Sequence, residues 1–397
     1  MTGAARAAEQ EIADDLFFSG HATLGLLYNT EKEAQFYRDA SQLNADFSQF
    51  TYQADSRFGL RLSYKPHSRL GGELQLITRY GLSNEFETNL FSVSANWRAG
   101  NGWLIKAGYI PFESFYRADS VHVGYSYLWA RPPTEFYTLN IASSFKGVSV
   151  RKSFLFGFDT LQLKAYGGLY GKTPSSHPDD QIDARNSPLY GLSFDYISGN
   201  WGVSAGYNRI KLDRQALLST RDNALVPIDT GDAATDAYLV QVLNEALIKD
   251  TNFEYSYLGW NYDRANWRLE AVVSNTDTGY RSLSQANSAY FSLGYKFQRL
   301  TPYVVITYVH NDELHNLNSG GLSDELNAII KQSANNTHGE EFNYGLGLRS
   351  ELAENIALKM QYNHIDSNEN PSLFWLRESE NWDGNANLFS LVLDMVF

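Results

Sequence analysis

Between positions 111 and 146 the chain gathers charged and aromatic residues. Glu113, Arg117, Asp119, His122, Arg131 and Glu135 lie among Phe112, Phe115, Tyr116, Tyr125, Tyr127 and Trp129. Carboxylates and guanidiniums held close together create a field that orients dipolar solutes and sets a preference among ions. The rings offer a slide for sugars or flat solutes, although packing of the segment onto its support is the simpler reading for most of them. Pro132 and Pro133 stiffen the segment, since each fixes φ and removes a donor. Covalent chemistry has no comparable footing. There is no G-x-S-x-G, no H-E-x-x-H and no C-x-x-C-H. The eight histidines are scattered at 21, 67, 122, 177, 310, 315, 338 and 364, with no pair at ligand spacing on one strand face. There is no Cys, so thiolate metal sites and disulfides are absent. No metal, no cofactor and no enzymatic activity are expected.

A second charged set recurs on alternate positions of apolar stretches. It comprises Arg57, Arg61, Lys65, Arg79, Arg98, Lys106, Lys164, Arg268, Lys296, Arg349 and Lys359, with fewer acids: Glu73, Asp195, Asp263, Glu270 and Asp394. The terminal LFSLVLDMVF shows the pattern, with Phe389, Leu391, Leu393, Met395 and Phe397 on one face and Ser390 and Asp394 on the other. Period-two alternation of this kind fits a half-buried sheet or a barrel wall with lipid outside and water inside. Charged groups facing hydrocarbon at mid-membrane are costly, so on the barrel reading the charged parity faces the lumen.

The elements that would carry these residues decide between the two. Seven hairpins with short turns are legible: 58–65/72–80, 90–97/103–110, 148–154/160–170, 189–197/201–210, 253–263/267–275, 288–297/301–310 and 342–350/356–365. An opening strand at 16–29 and a closing one at 387–397 bring the total to about sixteen, an even number of the length a tilted membrane strand needs. The connections between hairpins are mostly long: 30–55, 111–146, 171–188, 214–252, 312–340 and 367–386. Strict alternation of short turns with long loops suits a membrane barrel, not a compact sandwich. The segments 234–250 and 321–332 have helical spacing inside two of these loops. An extra hairpin within 30–55 would raise the strand count.

Composition agrees. Aromatics reach 14% of 397 residues, mean hydropathy is −0.37, and no apolar run is long enough for a membrane helix. A net charge of −13 argues against nucleic acid as a partner. Trp97, Trp103, Trp201, Trp260, Tyr262, Trp267, Tyr295 and Phe297 fall beside short turns, and Tyr28, Tyr80, Tyr109, Tyr190, Tyr308, Phe342 and Tyr344 near the other strand ends. Two aromatic girdles bounding an apolar band are what membrane interfaces select. The fold class expected is all-β, a transmembrane antiparallel barrel of about 16 strands with short periplasmic turns and long extracellular loops. Residues 16–397 form this single domain, and 1–15 an N-terminal segment, flexible or left by processing. MTGAARAAEQEIADD has no apolar core of a secretory signal, so the sequence is read as a mature or trimmed form.

On strand order, the LTPYVVITYV and NIALKMQYNHID stretches, the terminal LFSLVLDMVF and the long third loop, residues 16–397 resemble a Gram-negative outer-membrane porin. The stretch 105–137 looks like a porin-like branch whose third loop carries an aromatic–Arg–Pro–Pro run. The resemblance implies passive diffusion of small hydrophilic solutes and ions, with the third loop folded into the lumen as a constriction. It also implies contact with outer-membrane lipid and lipopolysaccharide, a homotrimer, and recognition by barrel assembly machinery through the terminal Phe strand. Small outward residues such as Ala22, Gly25 and Ala95 would suit a subunit interface. The net-basic wall adds a weak preference for anions. A saccharide-specific channel and a loop-plugged structural or adhesive barrel are the alternatives.

Overall fold

The computed structural model describes residues 9–39, 42, 47–81, 83–113, 115–137, 144–170, 186–212, 251–278, 286–312, 324, 327, 328, 331, 338–368, 375–377 and 382–397. Sixteen long strands follow one another: β1 (Leu16–Asn29), β2 (Arg57–Tyr64), β3 (Leu70–Tyr80), β4 (Phe86–Gly100), β5 (Trp103–Pro111), β6 (Ser144–Phe156), β7 (Asp159–Tyr170) and β8 (Pro188–Ser198). They continue with β9 (Trp201–Lys211), β10 (Asn252–Arg264), β11 (Trp267–Asp277), β12 (Ala286–Tyr295), β13 (Leu300–Asn311), β14 (Gly339–Ala353), β15 (Ile356–Asn368) and β16 (Asn385–Val396). Each pairs antiparallel with the next, and β1 pairs with both β2 and β16, which closes the sheet. Closure satisfies the backbone groups that an open edge would leave bare in lipid.

Strand parity follows the sequence pattern. On β16 the side chains of Phe389 and Leu391 face outward while Ser390, Val392 and Asp394 are buried inside. On β1 the outward positions are Leu24, Leu26 and Tyr28, and His21, Thr23 and Leu27 point in. Trp97, Trp103, Trp201, Trp260, Trp267, Tyr295 and Phe297 are all exposed on the outer surface beside the short turns, as a girdle requires. Lys152 lies among them, its Nζ bonded to the Asn101 carbonyl in a turn and held over the Trp103 and Phe154 rings. This is a lysine carrying its charge to the interface.

Several expectations change. Tyr80 leaves the outer girdle, being buried against Phe47 and Phe86. Gly25 faces inward, where an added Cβ would meet Asp55 at 2.4 Å, so it cannot serve a subunit interface. Lys65 sits at the β2–β3 turn and pairs with Glu9 instead of lining the wall. Within the N-terminal segment, Gln10–Ala13 form a short strand on β1. Among its described residues, the segment after β1 adds no barrel hairpin. It contributes Phe50–Thr51, paired with Leu27 and Tyr28, and Ala34–Phe36, which forms a separate two-stranded sheet with Trp375–Arg377. The proposed helix at 234–250 lies outside the described residues; in 321–332, Asp324, Asn327, Ala328 and Lys331 are described and helical.

Candidate functional site: the lumen and its third loop

The third loop, L3, leaves β5 at Pro111 and rejoins the wall at Ser144. It folds into the barrel. Its first turns run toward the β10–β11 side, where Tyr116 Oη donates to Asn261 Oδ1 at 3.4 Å and Arg117 pairs with Glu270 at 2.6 Å. The chain then crosses to β1, β15 and β16. Gly124 sits so close to Thr23 and Asp394 that a Cβ would lie 1.8 Å from Asp394 Oδ1, so any larger residue would displace either these side chains or the loop. Lys359 Nζ, fully buried, donates to the Gly124 and Trp129 carbonyls at 2.7 and 2.8 Å and lies 2.9 Å from Asp394 Oδ2. Arg349 donates to the Tyr125 and Tyr127 carbonyls, and Tyr125 Oη donates to Glu351 Oε2 at 2.9 Å. Trp129 Nε1 donates to Ser292 Oγ at 2.8 Å.

Beyond Trp129 the loop is held from both sides. Arg131, 4% exposed, makes a bidentate contact with Asp55, donates to Ser390 Oγ at 2.7 Å and lies over the Phe36 ring. Burial pushes the Asp55 carboxyl up, but Arg131, Arg38 and Arg57 outweigh it and hold Asp55 below the usual range. The short helix α1 (Thr134–Tyr137) puts Glu135, 1% exposed, where it accepts from Thr307 Oγ1 and Asn343 Nδ2, both at 2.7 Å. Arg131 and Glu135 are therefore anchors of the loop, not groups open to solute. The same holds for most of its rings. Phe112, Phe115, Tyr116 and Trp129 are buried and interlock with Phe145, Tyr166, Tyr255, Tyr257 and Tyr290 of the wall, and buried Tyr127 stacks on Trp129.

The basic wall residues divide into two groups. Arg349 and Lys359 are consumed in holding L3, and Arg57 bonds the Tyr127 hydroxyl. Arg61, Arg79, Lys106, Lys164, Arg268 and Lys296 face the passage. Arg61 (2.5 Å) and Lys106 (3.9 Å) share one carboxylate, Glu73. Lys164 pairs with Glu113 of L3, Arg79 lies 3.4 Å from Asp39, and Arg268 is 3.3 Å from Asp263. Strand register sets Arg151 opposite Lys164 on the neighbouring strand. The result is a basic arc across β2, β5, β6 and β7, faced by Glu113 and Asp119 of L3 and ending at Asp195 on β8. Asp119 and Asp195 have no basic group in ion-pair range among the described residues; Ser204 donates to Asp195 at 2.5 Å. Asp119 is exposed to the passage, yet the crowding of the barrel around it, and then the charge of Glu113, hold its carboxyl above the ordinary range.

Two spaces here share Ser126 and Arg268 in their linings. Beneath L3 lies a cavity of about 520 Å³ lined by Asp119, Asp195, Tyr116, Tyr257, Asn261 and Arg268, among others. Nearer the short turns is a vestibule of about 420 Å³ lined by Arg268, Lys296, Arg299, Arg349, Glu351 and Glu354. Sequence reasoning missed Arg38, Asp39 and Asp55, since no periodicity marks residues in a long loop as inward-facing. It also missed Arg151, whose strand parity the short 148–154 pattern left open.

No family model and no curated protein matches the chain. Solved structures do. OmpF of Salmonella typhi in complex with daunomycin aligns at TM-score 0.55 and 15% identity, over 98% of this chain and 100% of that one. An anion-selective porin from Comamonas acidovorans aligns at 0.56 and 12%, over 96% and 99%. The trimer form of OmpT, an outer membrane protein of Vibrio cholerae, aligns at 0.54 and 13%, over 96% and 99%. At these identities the likeness is one of fold. The chain has the fold of Gram-negative outer-membrane porins, and its apolar outer band between aromatic girdles suits that location.

Proposed function

We propose that this barrel is a porin, assembled as a homotrimer, that lets small hydrophilic solutes and ions diffuse passively through a lumen narrowed by L3, with no chemical step. The observation that carries the reading is the basic arc on β2–β7 meeting the carboxylates Glu113, Asp119 and Asp195 at the same stretch of the lumen. Two fixed rows of opposite charge in a restricted aqueous passage bias ion flow without binding any ion tightly. The finer reading is a weak anion preference. It is supported by Arg61 and Lys106 sharing a single carboxylate, and by Lys296 and Arg299 at the vestibule. One second reading has a specific observation behind it. The sheet joining Ala34–Phe36 to Trp375–Arg377, with Phe36, Trp375 and Trp382 packed together in the mouth, suits a loop-plugged structural barrel.

Planar-bilayer recordings across a KCl gradient test both readings. Stable ohmic steps with a reversal potential on the anion side are expected, and Arg61→Glu with Lys106→Glu should move it toward cations. Folded, heat-modifiable protein without any steps would replace the porin reading with the plugged barrel.

A further inference from the structure

Three of the five carboxylates lining the cavity beneath L3 are matched by a base: Glu113 by Lys164, Glu270 by Arg117 and Asp263 by Arg268. Asp119 and Asp195 are left without a base in ion-pair range among the described residues, so this space is rich in carboxylate inside a barrel whose wall is basic. Tyr257 lines the same space as these carboxylates and Glu113. The Tyr116 and Tyr257 rings lie 6.3 Å apart at this spot. Unmatched carboxylates beside aromatic faces attract an ammonium group, by direct charge and by the ring quadrupole. The opposite end of the same space has the opposite character. Arg268 lines both the cavity and the vestibule, and it is only loosely held, its side chain 40% exposed at 3.3 Å from a similarly exposed Asp263. Immediately beyond it are Lys296 and Arg299, neither in an ion pair among the described residues.

We infer that the lower lumen is a binding site for small zwitterionic solutes, the ammonium end held at Asp119 and Asp195 and the carboxylate end directed at Arg268, Lys296 and Arg299. This assignment rests on the porin reading and narrows it to a substrate class. A solute with one charge meets one favourable and one repulsive end, whereas a zwitterion a few carbons long satisfies both. The volume, about 520 Å³, is in the range of small-molecule sites. Partly solvated contacts of this kind hold a solute weakly, which suits a channel whose cargo must leave again.

The test is swelling of liposomes containing the full-length protein. The probes are γ-aminobutyrate, its cationic methyl ester, its anionic N-acetyl derivative and the neutral sugar arabinose. The zwitterion is expected to enter about threefold faster than either singly charged analogue, the factor that one partly exposed charge contact supplies. Asp119→Asn with Asp195→Asn should make the N-acetyl anion the faster of the two charged analogues. Arg268→Gln should instead favour the methyl ester. The aspartate changes are near-isosteric, Arg268→Gln shortens a side chain that is 40% exposed, and heat-modifiable migration on gels verifies folding. Entry of arabinose with no advantage for the zwitterion, or with an advantage that both variants retain, overturns the site while leaving the porin. Failure of arabinose itself to enter overturns the porin reading and the site with it.

Discussion

Arg131→Met removes the guanidinium that ties L3 to the segment after β1 and to β16. In the native barrel that group is 5% exposed, Asp55 is 2% exposed, and three of its N–H···O distances to Asp55 and Ser390 are 3.0 Å or less. Removing one member of a buried pair costs about 3–5 kcal/mol, because the other charge stays buried. Arg38 and Arg57 also act on Asp55, which sets the loss near the low end, about 3 kcal/mol. At about 1.4 kcal/mol per factor of ten, the ratio of released to docked loop rises roughly a hundredfold. The strand ladder is untouched, so the barrel should keep its heat-modifiable migration. The effect belongs to the loop, and it is read in two ways. Single-channel traces should become noisier with larger steps, and trypsin should cut at Arg117. Asp55→Asn added to Arg131→Met removes the stranded charge and should recover part of the protection. Quiet, native-sized steps and native resistance to trypsin in Arg131→Met would refute the assignment of Arg131 as the anchor.

Two further outcomes follow from the same geometry. Asp119 titrates above the ordinary carboxylate range, so as pH falls it gains its proton sooner than a free aspartate would. L3 then loses a negative charge, and reversal potentials should shift toward anions in that interval, a shift that Asp119→Asn abolishes. Phe397 contacts the Phe18 and Phe58 rings, and its backbone exchanges hydrogen bonds with Gly20 at the seam that closes the barrel. Deleting it should sharply lower the heat-modifiable fraction after refolding into detergent or membranes, with refolded wild-type protein as the reference.

Much of the wall was legible from alternation alone. The opening strand falls at 16–29 in both readings, and the seven short turns lie between the strand pairs that alternation marked. The reason is local: each strand has lipid on one side and water on the other, so every second residue reports its surroundings. Tyr80 departed from that rule because a loop segment carrying Phe47 covers it, whereas Gly25 obeys it, lying on the inward parity of β1 against Asp55. Residues folded over a rim override the parity beneath.

The course of L3 was not legible, although its residues were. Arg131 is bonded to Ser390, 259 positions away, and Lys359 to Gly124 across 235. No spacing along the chain encodes such contacts. The sequence by itself determined a closed, lipid-facing barrel with charged residues on its inner parity, because strand alternation records a membrane environment residue by residue. Only the tertiary structure decided which of those charges are spent as anchors and which face the passage, because that division depends on which wall group each loop atom meets after the barrel has closed.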